Sequence, residues 1–475
     1  MNDCCSSKKT APHLVIIGGG SAAFSAALGG TALGARVTMI NDGLPIGGTC
    51  VNVGCVPSKA LLRAAESHHR ANHNCFAGLE SSSRVADFGA LMRQKAALVE
   101  ELRQAKYLDV VADLPEFERI EGRARLVGPR TVAVGQRRLE ADRILIATGA
   151  TTAEPDIEGL GEVGYLTNES LFELETLPRS LLVVGGGYIG LECAQMFARL
   201  GSEVTVVQRS GRVLGDQMPD LTEGLSAYLR EEGIKILIDT QIQRVERRGE
   251  HIVAQAAGPG GSHTLRATHM LVAPGRRANT WDLGVEAAGV TLDARGFVAV
   301  SDTLQTSAPG IYAAGDVIGE PLFVYTAAYE GALAAENALT DAEKPRDYSA
   351  LPWVVFTDPQ VAGVGLDEHQ AAEAGIEAEA ATLPLSHVPR AIAARDTRGF
   401  IKLIREVDTH RLLGARMLAP EGGELVTAVA TAVRAGMTSD DMAAAFHPYL
   451  TLSEGLKLAA ITFGKDVATL SCCAA

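Results

Sequence analysis

Short, continuously apolar runs that stop at glycine clusters recur along this chain. The first is Leu14-Val15-Ile16-Ile17, which ends at Gly18-Gly19-Gly20 and gives way to an alanine-rich stretch. A second run, Arg36-Val37-Thr38-Met39-Ile40, follows it. Unbroken apolar runs of this length read as buried strands, and the alanine-rich stretch between them reads as a helix, so the pattern predicts a β–α–β unit with a glycine turn. The pattern returns at Ser180-Leu-Leu-Val-Val184, with Gly185-Gly186-Gly187 after it and Glu203-Val-Thr-Val-Val207 as the partner strand. Further strand ends are expected at Ile144–Gly149 and Leu271–Arg277, with a domain crossover near Pro155. The uncharged stretch Leu14–Ala35 follows Lys8 and Lys9, as a signal peptide or spanning helix would, but its six glycines argue for strand, turn and helix.

Composition narrows the function class. With 475 residues, about three domains are expected, or two with one interrupted. Apolar types make up 47% and charged types 21%, the balance of a globular protein. Lys plus Arg is 43 against 57 for Asp plus Glu, a net charge of −14 with no basic run, which argues against nucleic-acid and anionic-membrane partners. A cytoplasmic enzyme is expected. The eight cysteines are too sparse for a disulfide scaffold, and Cys4-Cys5 and Cys472-Cys473 are adjacent, where ordinary disulfide geometry is difficult. Grouped cysteines of this kind point to redox or soft-metal chemistry; Cys75 and Cys193 are expected as small buried hydrophobes.

The two glycine clusters carry nucleotide chemistry. Gly18, Gly20 and Ala23 form a G-x-G-x-x-A turn, and Gly185, Gly187 and Gly190 a full G-x-G-x-x-G. Such turns let backbone N–H groups approach a pyrophosphate at a helix N-terminus. The first partner strand ends in Asn41 where these folds usually place an acidic ribose ligand; Asn41 itself or Asp42 is the candidate for that contact. The second ends in Gln208-Arg209 with no carboxylate, and Arg209, with Arg212 nearby, offers charge for a 2′-phosphate, so NADPH is favoured over NADH. Two dinucleotide folds in one chain suggest a flavin and a nicotinamide working together. Gly149, at the end of Ala147-Thr148-Gly149, marks a strand end, and Asp316, in Ala314-Gly315-Asp316, is placed beside a flavin's ribityl chain.

Gly47-Gly48-Thr49-Cys50-Val51-Asn52-Val53-Gly54-Cys55-Val56-Pro57-Ser58-Lys59 closely resembles the flavin disulfide reductases, which include the glutathione, lipoamide and mercuric reductases. The resemblance runs from about residue 12 to the C-terminus. It implies an α/β protein with two Rossmann-like dinucleotide-binding domains, the NADPH domain inserted in the FAD domain, and a C-terminal α+β dimerisation domain. The expected boundaries are a flexible leader at 1–12, FAD-binding parts at 13–155 and 276–345, an NADPH-binding domain at 156–275 and a dimerisation domain with a Cys-Cys tail at 346–475. Only residues 1–12 precede the first strand, so the G-M-T-C-x-x-C heavy-metal domain that relatives often carry is expected to be lacking. Thr49 lies in the flavin-side block. By resemblance Cys50 is the interchange thiol, Cys55 contacts the flavin, and Lys59 pairs with Glu192 near the flavin N5. A helix N-terminus at this turn would lower a thiolate's pKa. Pro274 and Ala278 depart from the family's second crossover, where a local backbone change is expected.

Two further departures bear on substrate. Disulfide exchange needs a base for the leaving thiol, and the family places a histidine five residues before an orienting glutamate. Five residues before Glu454 stands Tyr449, while His447 is two too early. A phenol with pKa about 10 is a poor base at neutral pH. Cys472 and Cys473 in the tail are good soft ligands, and Ser471-Cys472-Cys473 with Tyr449 is the mercuric-reductase pattern. The resemblance then implies a homodimer in which Cys472 and Cys473 bring thiol-bound mercuric ion to Cys50 and Cys55 of the other subunit, all four cysteines acting as metal ligands. Tyr107 also lies at the metal site in that family. Cys4 and Cys5 are either a relay or an accident of the leader, and His69 and His73 either a zinc pair or a solvated helix face. The competing functions are an NADPH-dependent reductase of a low-molecular-weight disulfide, and storage of soft metal without turnover.

Overall fold

The computed structural model describes residues 11–340 and 342–469. Cys4, Cys5, Cys472 and Cys473 lie outside the described residues. Strand β1 (His13–Ile17) is buried along its length, as a strand covered on both faces must be. Helix α1 (Ser21–Ala32) carries the chain to β2 (Arg36–Asn41), which pairs parallel to β1. Next come the short helix α2 (Gly48–Val53), helix α3 (Cys55–Asn72) and helix α4 (Phe88–Arg103), which continues into a π-helical turn at Gln104–Leu108. Strand β3 (Phe117–Glu121) then joins the far side of β2. The five-stranded parallel sheet is completed by Arg143–Ile146 and Ile311–Ala313 on the other side of β1.

A second parallel sheet lies wholly within the intervening sequence. Its order is Lys235–Leu237, Glu203–Val207, Ser180–Val184, His269–Val272. The chain leaves the first sheet through Ala150–Thr152 and returns through Arg276–Ala278, and these two segments pair antiparallel with each other. Gly275, at φ +150°, follows Pro274, and the ladder then runs in regular register despite Pro274 and Ala278. The last sheet is antiparallel, Pro352–Val355, Gln360–Gly365, Leu412–Ala419, Phe400–Glu406, Ala378–Pro384, with helix Gly422–Arg434 packed on it. The fold is α/β with two Rossmann-like units and a C-terminal α+β unit.

Buried charge ties the second and third units together. Arg199 meets Glu232 at 2.6 Å and Asp358 at 3.0 Å, and Arg398 reaches Asp358 at 2.9 Å. Gln195 adds a bond to the Asp358 carbonyl at 2.8 Å. No helix among the described residues is long and apolar enough to cross a membrane.

Candidate active site

The two glycine-rich segments meet. Gly47 N–H donates to the Gly19 carbonyl at 2.7 Å, and a Cβ built on Gly48 would lie 2.7 Å from the Gly20 Cα. Gly18 is at φ +132°, with its missing Cβ 2.1 Å from the Ala147 carbonyl oxygen, so only glycine lets β1 end against the Ala147-Thr148-Gly149 strand end. Thr148 Oγ1 is buried without a hydrogen-bond partner among the described residues, and the Cβ direction of Gly149, at φ +69°, is open. Asp316, after Gly315 at φ +77°, has its carboxyl raised by burial, opposed by Arg276. A glycine-lined cradle with an orphaned hydroxyl and an acid at its side fits a flavin nucleotide.

Cys50 sits in α2, and Cys55 opens α3 after the break at Gly54. Their thiols are free and hydrogen-bonded to one another, and the hydrogen bond splits their acidities. The Cys50 thiol is pushed far up, by that bond and by burial. Cys55 is lowered to about 7: the Cys50 S–H donated to its sulfur acts first, burial opposes, and the Lys59 cation helps. The N-terminus of α3 adds its own partial positive charge. Cys55 is thus the more acidic of the two thiols. The sign is direct: raising pH through about 7 ionises Cys55 and lowering it protonates Cys55, while Cys50 stays a thiol. Ultraviolet difference titration of reduced protein against Cys55→Ser should therefore show one thiolate with a midpoint near 7 that the variant lacks. No step between pH 5 and 9 would contradict the geometry.

Lys59, one turn along α3, donates to Glu192 Oε2 at 2.8 Å. Glu192 lies on the helix Tyr188–Leu200 that follows the second glycine cluster. Burial works against the Lys59 charge, but Glu192 overrides it and leaves the ammonium raised. Phe356 completes the bracket: its N–H donates to Glu192 Oε1 at 3.0 Å and its ring lies 4.5 Å from Lys59 Nζ. The ammonium, carried by the first unit, is thus held by residues from the other two.

Tyr107 is in the π-helical turn, a local expansion common at functional sites. Its ring stacks edge-on against Phe24 at 4.8 Å and covers Gly47, where an added Cβ would lie 3.2 Å from Cδ2. Burial raises its hydroxyl, while a hydrogen bond with Ser21 lowers it and Cys50 and Cys55 add to the rise. The structure therefore places Tyr107 over Gly47, at the start of the segment that carries Cys50. Tyr449 stands 59% exposed, and Phe446 and Leu450 near it in sequence are exposed as well. The Glu454 carboxylate accepts the Leu450 N–H at 3.2 Å, and His447 Nδ1 lies 3.2 Å from the Ala445 carbonyl.

At the second glycine cluster a Cβ on Gly185 would lie 2.3 Å from the Ala273 carbonyl, and one on Gly190 2.0 Å from the Gly185 carbonyl; the Cβ direction of Gly187 is open. Gln208 Oε1 accepts the Gly186 N–H at 2.8 Å, so the strand-end side chain caps the turn. Arg209 is exposed next to it, and Arg212 folds onto the Gly215 carbonyl at 3.3 Å. Elsewhere Cys193 is buried, whereas Cys75, expected inside, is exposed in the loop after α3. The His69 and His73 rings stack at 4.1 Å, and His69 falls to about 4 through burial and the nearby Arg199. Phe356 and Gln208 in these roles were not visible in sequence, because both act through contacts that no local spacing announces.

Comparison with known proteins agrees with this arrangement. The family model for pyridine nucleotide-disulphide oxidoreductases matches residues 12–331, and that for their dimerisation domain matches 351–460. A mercuric reductase of Streptomyces lividans is 48% identical over 98% of this chain and 99% of its own length. One from Bacillus cereus is 45% identical over 97% of this chain and 73% of its own. Among solved structures, the Cu(II) complex of the HOCl-induced flavoprotein disulfide reductase RclA from Escherichia coli matches with TM-score 0.85 at 30% identity, covering 96% of this chain and all of that one. Glycine turns, dithiol and dimerisation sheet thus have one common origin: the chain belongs to the pyridine nucleotide-disulphide oxidoreductases, flavin- and pyridine-nucleotide-dependent enzymes that form dimers, and it groups there with the mercuric reductases.

Proposed function

We propose that this protein is a mercuric reductase, a homodimer that reduces thiol-bound mercuric ion to elemental mercury. Residues 13–155 and 276–345 are assigned to FAD, 156–275 to NADPH, and 346–475 to dimerisation. Gly18, Gly20, Ala23, Asn41, Thr49, Gly149 and Asp316 form the flavin side, and Gly185, Gly187, Gly190 and Arg209 the NADPH side, with Lys59 and Glu192 between them. Bound FAD supplies the two-electron link from NADPH to the site.

The observation that carries this reading is a tyrosine at the position where the family's base would stand. Cys50 and Cys55 act on one another so that Cys55 is the more acidic, yet the position from which a histidine would serve them is Tyr449, and the carboxylate that would orient the histidine accepts a backbone N–H. Thiol–disulfide exchange needs a proton delivered to the leaving sulfur. Reduction of a metal held by two thiolates does not. In this scheme Cys472 and Cys473 strip the ion from small thiols and pass it to the partner subunit's Cys50 and Cys55. Lys59 holds a positive charge beside the Cys55 thiolate, and Tyr107 together with Tyr449 orders the ligands around the ion. Two electrons added to the bound ion give neutral mercury, which no longer binds thiolate, so both sulfurs are regenerated.

The test is NADPH oxidation by purified protein with mercuric chloride in excess small thiol, beside oxidised glutathione and lipoamide. Mercury-dependent turnover with release of volatile mercury is expected. Cys472→Ala/Cys473→Ala should lower it about tenfold or more, which is about 1.4 kcal/mol in the barrier. Turnover with a disulfide instead would identify a disulfide reductase. Mercury binding without NADPH oxidation would identify storage.

A further inference from the structure

We propose that Glu121, at the end of β3, holds the adenosine ribose hydroxyls of FAD in place of the acid that the end of β2 lacks. The inference rests on the FAD reading above. Asn41 is buried, with Oδ1 turned to the glycine turn: a Cβ on Gly19 would lie 2.1 Å from it. Its amide donates to the Leu44 carbonyl at 3.1 Å and to Glu121 Oε2 at 3.1 Å. A primary amide has two N–H donors, so both are committed and Asn41 acts as a bracket. Asp42 is exposed, and no hydrogen bond among the described residues positions its carboxylate.

Glu121 has the placement that Asp42 lacks. In the parallel register it stands opposite Asn41, and the Gly122 N–H donates to the Asn41 carbonyl at 2.8 Å, fixing the two strand ends side by side. Glu121 Oε1 lies 3.4 Å from Arg119 Nε, and its side chain is 60% exposed. An ionised carboxylate has about four acceptor sites, so two neighbours leave room for a vicinal diol. The carboxylate normally found on the second strand is therefore supplied from the third, one strand spacing across, with Asn41 aiming it.

The experiment titrates deflavinated protein, wild type and Glu121→Gln, with FAD and with an FAD analogue lacking both adenosine ribose hydroxyls. Glu121→Gln is close to isosteric and leaves β3 paired. Binding of FAD should weaken about tenfold in the variant, the size of a lost hydrogen bond to a charged group. Wild type should lose a similar factor with the analogue, while the variant should scarcely distinguish the two ligands. Equal FAD affinity in both proteins, or a weaker variant that still discriminates as wild type does, would overturn the assignment while leaving the FAD reading intact. Failure of wild type to bind FAD at all would overturn both.

Discussion

Cys55→Ser is expected to abolish mercury-dependent NADPH oxidation, by about a thousandfold or more, the size of losses when a covalent or thiolate centre is removed. In the wild type Cys50 lowers the Cys55 thiol, with Lys59 and the α3 N-terminus in support, so Cys55 is the more acidic of the pair. A serine hydroxyl there neither ionises near neutral pH nor accepts electrons, and it leaves Cys50 as the one thiol of the pair, unable to form a two-thiolate site with its neighbour. Folding should be spared, since position 55 opens a helix, where serine is well tolerated. The measurement is steady-state NADPH oxidation with thiol-bound mercury and, separately, with a one-electron dye as acceptor. Loss of the first with retention of the second is the expected pair. Mercury turnover within tenfold of wild type would mean that electrons do not leave through this dithiol.

Gly18→Ala should yield protein that no longer retains flavin. The added methyl meets a backbone carbonyl oxygen at 2.1 Å, and φ is +132°, so no side-chain rotation relieves the contact. Backbone strain of this kind costs about 1–3 kcal/mol before the clash is counted. The Gly18 N–H also donates to the Ile40 carbonyl at 2.8 Å, so relief would have to move the end of β1 against β2, at the glycine turn proposed to receive the flavin nucleotide. Flavin absorbance per chain and the unfolding midpoint read the effect. Gly161→Ala, with nothing within 4 Å and no strained φ, is the control and should keep both. A flavin-replete Gly18→Ala protein would show that this turn is not the cofactor's cradle.

What was legible beforehand and what was not divides along a physical line. The strands Leu14–Ile17, Arg36–Ile40, Ser180–Val184 and Glu203–Val207 could be read because buried parallel strands need unbroken apolar runs and the turns after them need glycine. The pairing of Lys59 with Glu192 followed from resemblance, but Phe356, which fixes both, arrives from a sheet far along the chain. Glu121 is equally silent in sequence; only the register of β3 against β2 sets it beside Asn41. Cys75 was misplaced because residue type stood in for context: it lies in a loop with Asn74 and, further on, Ser81-Ser82-Ser83, a polar setting that signals exposure. Tyr107 owes its place over Gly47 to a π-turn that no apolar periodicity announces.

The antiparallel contact between Ala150–Thr152 and Arg276–Ala278 has a consequence for how such a chain can be rebuilt. Hydrogen-bonded neighbours in a sheet lie about 4.8 Å apart, so the module between them begins and ends at almost one point. Another module can therefore be joined at this point without stretching the host sheet. A graft at this seam keeps the bracket around Lys59 only if it again presents a carboxylate where Glu192 stands.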